Sequence, residues 1–260
     1  MATKTVLITG GGNGIGLATV KKLLASTKVA HVLVIDINVS NLATLAQQYP
    51  KKLHIVCGDV TKQSDSLKAV KTLIEKAGSI SDLILNAGTF KPVGELPTIT
   101  IEAWKATFDV NFFSVVHMVR LAWPHLLETN GSIIVTSSRV SQKPAQYWTC
   151  YATTKSALSY FISCISLETA KIRCVALTPG AVDTDLMRNV MQGEDLPPRM
   201  VEFMEKLNGS GDLLHRDQPA SGFLKLVETG IPEAMNGKTL YWEDIVNWDT
   251  FESGRDILSK

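Results

Sequence analysis

Along this chain the apolar residues fall into two spacings that trade places repeatedly. Short unbroken runs recur at Thr5-Val6-Leu7-Ile8-Thr9, His31-Val32-Leu33-Val34-Ile35-Asp36, Leu53-His54-Ile55-Val56-Cys57, Leu83-Ile84-Leu85, Ile133-Ile134-Val135 and Arg173-Cys174-Val175-Ala176-Leu177. Runs this brief and this rich in β-branched residues predict buried strands. Between them the spacing widens to three and four residues. Leu17, Val20, Leu23 and Leu24 form one such set, Leu42, Leu45 and Ala46 another, and Leu67, Val70, Leu73 and Ile74 a third. Each set predicts a helix with one apolar stripe. A longer helix is predicted from Thr100 to Leu127, with Pro124 kinking or ending it. Another is predicted from Asp217 to Leu226, and a last strand from Lys238 to Trp242. Residues 187–216 break the pattern with Pro197-Pro198, several Met and Gly209-Ser210-Gly211, which suits either a lid over an apolar substrate or a plain surface excursion. The polar tail 243–260 receives no element.

Composition narrows the class. The chain has 260 residues, 45% hydrophobic and 20% charged, enough for one large α/β domain. With no internal repeat or low-complexity linker, residues 1–260 are expected to form that single domain. Net charge is +1 and no basic block exceeds two lysines, so nucleic acid finds no electrostatic footprint. No apolar run reaches the roughly 18 residues of a membrane span. The first strand starts too early to leave room for a signal peptide, which predicts a cytoplasmic protein. The four cysteines show no Cys-x-x-Cys pairing, and no His/Cys/carboxylate cluster points to a metal.

Candidate chemistry gathers just past the strand ends. The first strand runs into Gly10-Gly11-Gly12-Asn13-Gly14-Ile15-Gly16 and then a helix. Strand, glycine turn and helix form the context that holds a dinucleotide pyrophosphate on a helix N-terminus. The second strand ends in Asp36, about 20 residues past the glycines, where a carboxylate can accept from the ribose hydroxyls and would repel a 2′-phosphate. That favours NAD, with NADP as the alternative. The third strand closes in Gly58-Asp59-Val60, where Asp59 is either an adenine reader or a turn residue. The fourth ends in Asn86-Ala87-Gly88, and the sixth in Thr178-Pro179-Gly180-Ala181-Val182-Asp183-Thr184. Ligands collect at such strand-end turns in open α/β sheets.

The fifth strand leads to Ser138, and a helical pattern after it opens with Tyr151 and Lys155. Four residues apart on a helix, a phenol and an ammonium share one face. A nearby cation lowers a phenol pKa from about 10 toward a range useful for proton transfer. Ser138 is placed to hydrogen-bond the substrate oxygen. Asn111, in an apolar helix interior, requires partners for its amide. Phe90, Trp104 and Trp148 are candidates for an apolar pocket or for plain core.

Together these motifs resemble the short-chain dehydrogenase/reductase family over essentially the whole chain. The matching residues are Thr9 to Gly16, Asp59, Asn86-Ala87-Gly88, Asn111, Ser138, Tyr151 with Lys155, and Pro179-Gly180, in the family's order. Asp109-Val110-Asn111-Phe112-Phe113 and Val182-Asp183-Thr184-Asp185 are similar to the sepiapterin-reductase-like fungal group that includes benzil reductases. That group goes with NADPH and a basic residue after the second strand, where this chain has Asp36. The resemblance implies a single Rossmann-like domain, a doubly wound seven-stranded parallel sheet with helices on both faces, and a homodimer or homotetramer. It implies an oxidoreductase acting on a small secondary alcohol or ketone (a diol, hydroxyketone or diketone among them). Tyr151 would be the general acid/base and Lys155 would lower its pKa and hold the nicotinamide ribose. Ser138 would polarise the carbonyl, and Asn111 would anchor a relay water. Cofactor contacts are implied at Gly10, Asn13, Gly14, Ile15, Gly16, Asp36, Asp59, Val60, Asn86, Ala87, Gly88, Pro179, Gly180, Val182 and Thr184. The competing reading is a dinucleotide-binding sensor or scaffold without turnover; an epimerase or lyase has little room for its usual second domain.

Overall fold

Each of the six apolar runs forms a strand, and the predicted seventh joins them. The computed structural model describes residues 3–185, 187–188, 201–202 and 213–248. The strands are β1 (Lys4–Thr9), β2 (Val29–Asp36), β3 (Leu53–Cys57), β4 (Asp82–Leu85), β5 (Ser132–Thr136), β6 (Arg173–Thr178) and β7 (Thr239–Tyr241). They make one sheet in the order β3-β2-β1-β4-β5-β6-β7, every pairing parallel. Parallel neighbours need crossovers, and helices supply them: α1 (Gly14–Ala25), α2 (Ala43–Gln48), α3 (Gln63–Ala77), α4 (Ile101–Phe108), α5 (Ser114–Thr129), α6 (Thr149–Ile165) and α7 (Asp217–Thr229), while α8 (Trp242–Val246) follows the last strand.

Side chains alternate across a strand, so continuous apolar runs feed two cores at once. On β1, Leu7 joins a cluster with Leu73, Val119 and Ile162 from α3, α5 and α6. Its neighbours Val6 and Ile8 join the opposite cluster, with Val20, Phe223 and Ile245 from α1, α7 and α8. The doubly wound sheet expected from the resemblance is what the chain forms.

Two elements differ from their sequence reading. The helix predicted from Thr100 to Leu127 is interrupted at Asp109–Phe113, a π turn in which Ser114 N–H reaches the Asp109 carbonyl. Pro124 does not end it. Proline only forgoes one hydrogen bond, and the helix runs on to Thr129 before Asn130 adopts a left-handed cap at φ 48. The tail left without an element begins with α8, whose Ile245 is buried, flanked by the partly buried Trp242 and Trp248. That three-residue apolar spacing was the available signal.

Candidate active site

The winding direction reverses between β1 and β4, and the strand ends splay apart there. A cavity of about 890 Å³ opens above that point, at the C-terminal edge of the sheet. Its first wall is the turn from β1 into α1. A Cβ on Gly16 would lie 1.9 Å from the Gly10 carbonyl oxygen, so only glycine lets α1 dock this closely. Asn13 caps α1, its side chain accepting from Gly14 N–H at 2.7 Å. Asn86 donates to the Gly10 carbonyl at 2.9 Å, while Thr9 Oγ1 accepts from the Asn86 and Ala87 N–H groups at 3.1 Å each. These bonds lace the ends of β1 and β4 together beneath the opening.

Asp36 lines the next part. Its Oδ2 accepts from Gly12 N–H at 2.7 Å and its Oδ1 from Asn38 N–H at 3.0 Å, which fixes the carboxylate against the glycine turn. Gly58 and Val60 stand beside it, with Ile37 exposed above. Asp59 itself is not on the wall: its Oδ1 accepts from the N–H and hydroxyl of Thr61. Gly16 is likewise behind the lining. Pro179, Gly180, Val182 and Thr184 form the facing rim, and Thr184 Cγ2 would stand 3.3 Å from a Cβ on Gly14. The gap between that rim and the α1 N-terminus is a cradle that a side chain would fill. Asp185 spans it, accepting from Asn13 Nδ2 at 2.5 Å while also pairing with Arg188 at 2.6 Å.

At the other end Ser138, Tyr151 and Lys155 meet. The short turn after Ser138 is held by its hydroxyl, which accepts from Val140 N–H at 3.4 Å. Ser138 is also hydrogen-bonded to the Tyr151 phenol. Lys155 Nζ donates to the Thr136 carbonyl at 2.7 Å and lies 5.8 Å from the Tyr151 ring centre. The expected depression of the phenol pKa is not what this geometry gives. Burial pushes the Tyr151 phenol well above its ordinary value, against the weaker pull of the Ser138 bond. Lys155 is itself lowered by burial, to about 8, and donates to the Thr136 carbonyl.

Asn111 finds the amide partners that its place in an apolar helix requires. It is fully buried and off the cavity wall. Its oxygen accepts from Thr89 N–H at 2.8 Å, and its two N–H groups go to the Thr89 carbonyl and to Thr154 Oγ1. The side chain therefore has no donor left for a relay water. It ties the Gly88-Thr89 segment to α6, and so sets where Tyr151 and Lys155 sit. Phe90 and Trp148 do line the cavity and pack on Tyr151, with ring centres 4.4 and 5.8 Å away. Trp104 does not; it stacks on Phe108 at 6.3 Å. Val140, Met187, Leu214, Tyr241, Glu243 and Arg139 were not singled out from the sequence, though Arg139 directly follows Ser138. Most of the segment read as a lid lies outside the described residues.

Residues 4–195 match the sequence profile described as short chain dehydrogenase. Benzil reductase ((S)-benzoin forming) of Saccharomyces cerevisiae is 32% identical over 93% of this chain and 96% of its own length. The 2,3-dihydro-2,3-dihydroxybenzoate dehydrogenase of Bacillus subtilis is 28% identical, covering 88% of this chain and 82% of itself. A crystal structure of a short-chain dehydrogenase/reductase from Saccharomyces cerevisiae superposes with a TM-score of 0.89 at 29% identity, covering 98% of this chain and 99% of that one. The chain belongs to the short-chain dehydrogenase/reductase family and is an oxidoreductase of its nicotinamide-dependent kind.

Proposed function

We propose that the protein moves a hydride between NAD(H) and a secondary alcohol or ketone bearing an aryl or similarly apolar group, with Tyr151 as the general acid/base. One observation carries this reading: the Ser138–Tyr151 hydroxyl pair sits at a cavity wall shared with Phe90 and Trp148. The dinucleotide fits the other end, where Gly14, Ile15 and Asn13 offer a helix N-terminus and Asp36 a ribose acceptor. Asn86 to Gly88 and the rim from Pro179 to Thr184 would flank it. Bound there, the nicotinamide supplies or accepts the hydride.

The chain's own part is proton transfer and polarisation. In reduction, Ser138 Oγ donates to the carbonyl oxygen while Tyr151 Oη delivers the proton that completes the alcohol. In oxidation the same phenol oxygen takes that proton back. A phenol held above its ordinary value stays protonated at neutral pH, so reduction needs no prior ionisation, and oxidation speeds up as the pH rises. Lys155 is placed to meet the ribose beside the nicotinamide. The aromatic wall agrees with relatives named for benzil, a diaryl diketone, and for a dihydrodiol of benzoate.

Asp36 supports NAD over NADP, because the cavity's cations, Arg139 and Lys155, belong to the opposite end. Exposed Phe113, Tyr160 and Leu167 support a homodimer or homotetramer, and a cytoplasmic site of action is proposed with it. The deciding experiment titrates NADH and NADPH into the parent and Asp36→Ala, then assays an aryl ketone panel. We expect NADH to bind at least tenfold tighter, with the preference lost in the variant. A preference for NADPH in the parent would overturn the cofactor assignment. Absence of turnover across the panel would leave the sensor reading standing instead.

A further inference from the structure

The cavity around Tyr151 is apolar on most of its wall, from Phe90, Val140, Trp148 and Met187. Two cations reach it. Lys155 is buried and already donates to the Thr136 carbonyl. Arg139 is exposed, lines the cavity, and makes no ion pair among the described residues. Its backbone is fixed, because its carbonyl accepts from Gln142 and Lys143 N–H at 3.2 and 3.0 Å and its neighbour Ser138 is bonded to Tyr151. A guanidinium one residue from the carbonyl-polarising hydroxyl is within a side chain's reach of a group attached next to the reacting carbon.

We propose that Arg139 is a specificity-determining residue that binds a carboxylate borne by the substrate, so that the preferred carbonyl compound is an aryl keto acid. The proposal rests on the oxidoreductase reading and narrows its substrate class. A planar fork of donors matches two carboxylate oxygens, and the apolar wall beside it seats the aryl group of the same substrate. The cavity acids do not compete for it: Asp36 and Asp185 are held at the dinucleotide end by Gly12, Asn38, Asn13 and Arg188. Glu243 stands on α8 past β7, two strands from β5, and makes no ion pair with Arg139.

The probes are benzoylformate and its methyl ester, which place a carboxylate or a neutral ester one methyl group larger next to the same ketone. The readout is the ratio of kcat/KM for acid over ester, in the parent, Arg139→Ala and Arg139→Lys, at low and high salt. We expect the ratio to fall roughly tenfold in Arg139→Ala, mainly through the acid's KM, with part restored in Arg139→Lys. In the parent the acid's KM should rise with salt and the ester's should not. A ratio that is the same in parent and Arg139→Ala would overturn the proposal and leave the oxidoreductase reading intact. Should neither probe turn over while other ketones of the panel do, titration of benzoylformate into the cofactor-bound protein decides the inference: binding weakened by Arg139→Ala supports it, and equal or absent binding overturns it.

Discussion

Buried ionisable groups sit beside both ends of strands β4 and β5, and the two ends treat them in opposite ways. At the N-terminal end Asp82 faces Ser132 in register and accepts hydrogen bonds from the Ser132 hydroxyl and, at 2.6 Å, from Ser81. Lys4, from the neighbouring β1, closes the group at 3.4 Å. Burial still holds the Asp82 carboxyl above its usual range, yet every oxygen has a partner. At the C-terminal end Tyr151 and Lys155 are almost as buried, but they border a cavity, and the phenol is hydrogen-bonded to Ser138 on that cavity's wall. The closed end spends its polar groups on holding three strands together. The open end keeps hydrogen-bonding capacity for a reactant.

The sharpest way to break this comparison is Tyr151→Phe. General acid–base catalysis contributes roughly 10²- to 10⁴-fold, so kcat/KM for any reactive ketone should fall by about that factor. Thermal melting should move by only about 1 °C, because the ring and its packing on Phe90 and Trp148 remain. A large loss of stability with a small loss of rate would put Tyr151 in the same structural class as Asp82.

Asp82→Ala should behave the other way round. It leaves the buried Ser132 hydroxyl with no acceptor and Lys4 without its ion pair, while Ser81 keeps the Thr5 carbonyl at 3.1 Å, at a cost of about 2 kcal/mol. For a chain of this size that corresponds to a melting point lower by roughly 4–8 °C. The specific activity of the folded fraction should match the parent, since Asp82 is a whole strand length from the cavity. Calorimetry and steady-state rates on the same preparation check both halves.

How much of this was legible in the sequence depends on which end is considered. The strands, the glycine turn and the Ser138, Tyr151, Lys155 set could be read because backbone geometry and spacing dictate them. The Asp82 cluster was not read, since a lone Asp starting a strand looks like a turn residue until Ser132, fifty positions away, is brought beside it. Asn111 was singled out correctly as an amide needing partners, but the partners, Thr89 and Thr154, were set by tertiary packing. The π turn around it left no mark in the apolar spacing. The sign of the Tyr151 shift was misjudged for a related reason: a spacing of four reports proximity, and burial, which wins here, is not a property of spacing.

A milder test uses pH. In the folded chain Lys155 is lowered to about 8 from 10.5, so between those values the unfolded chain binds more protons than the folded one. Stability should therefore rise with pH from about 8. Tyr151 opposes this further up, because the folded phenol keeps its proton above the ordinary value of 10.0 while the unfolded one loses it. The net curve should climb from about pH 8 and then turn over near pH 10. Lys155→Met should abolish the climb and keep the fall, which chemical denaturation at stepped pH would resolve.

The smallest effect is expected at Arg188, and it sharpens the contrast because its contacts are among the shortest at the open end. Arg188 pairs with Asp183 at 2.5 Å and with Asp185 at 2.6 Å, yet all three side chains are substantially exposed. Exposed pairs gain little over water and lose side-chain entropy, so Arg188→Ala should barely move the melting point, and less still at high salt. Asp82, with a longer ion pair to Lys4, should cost more. What separates the two is desolvation: at Asp82 water cannot replace a lost partner, and at Arg188 it can. A melting shift for Arg188→Ala as large as that for Asp82→Ala would show that the open end, too, is built for stability.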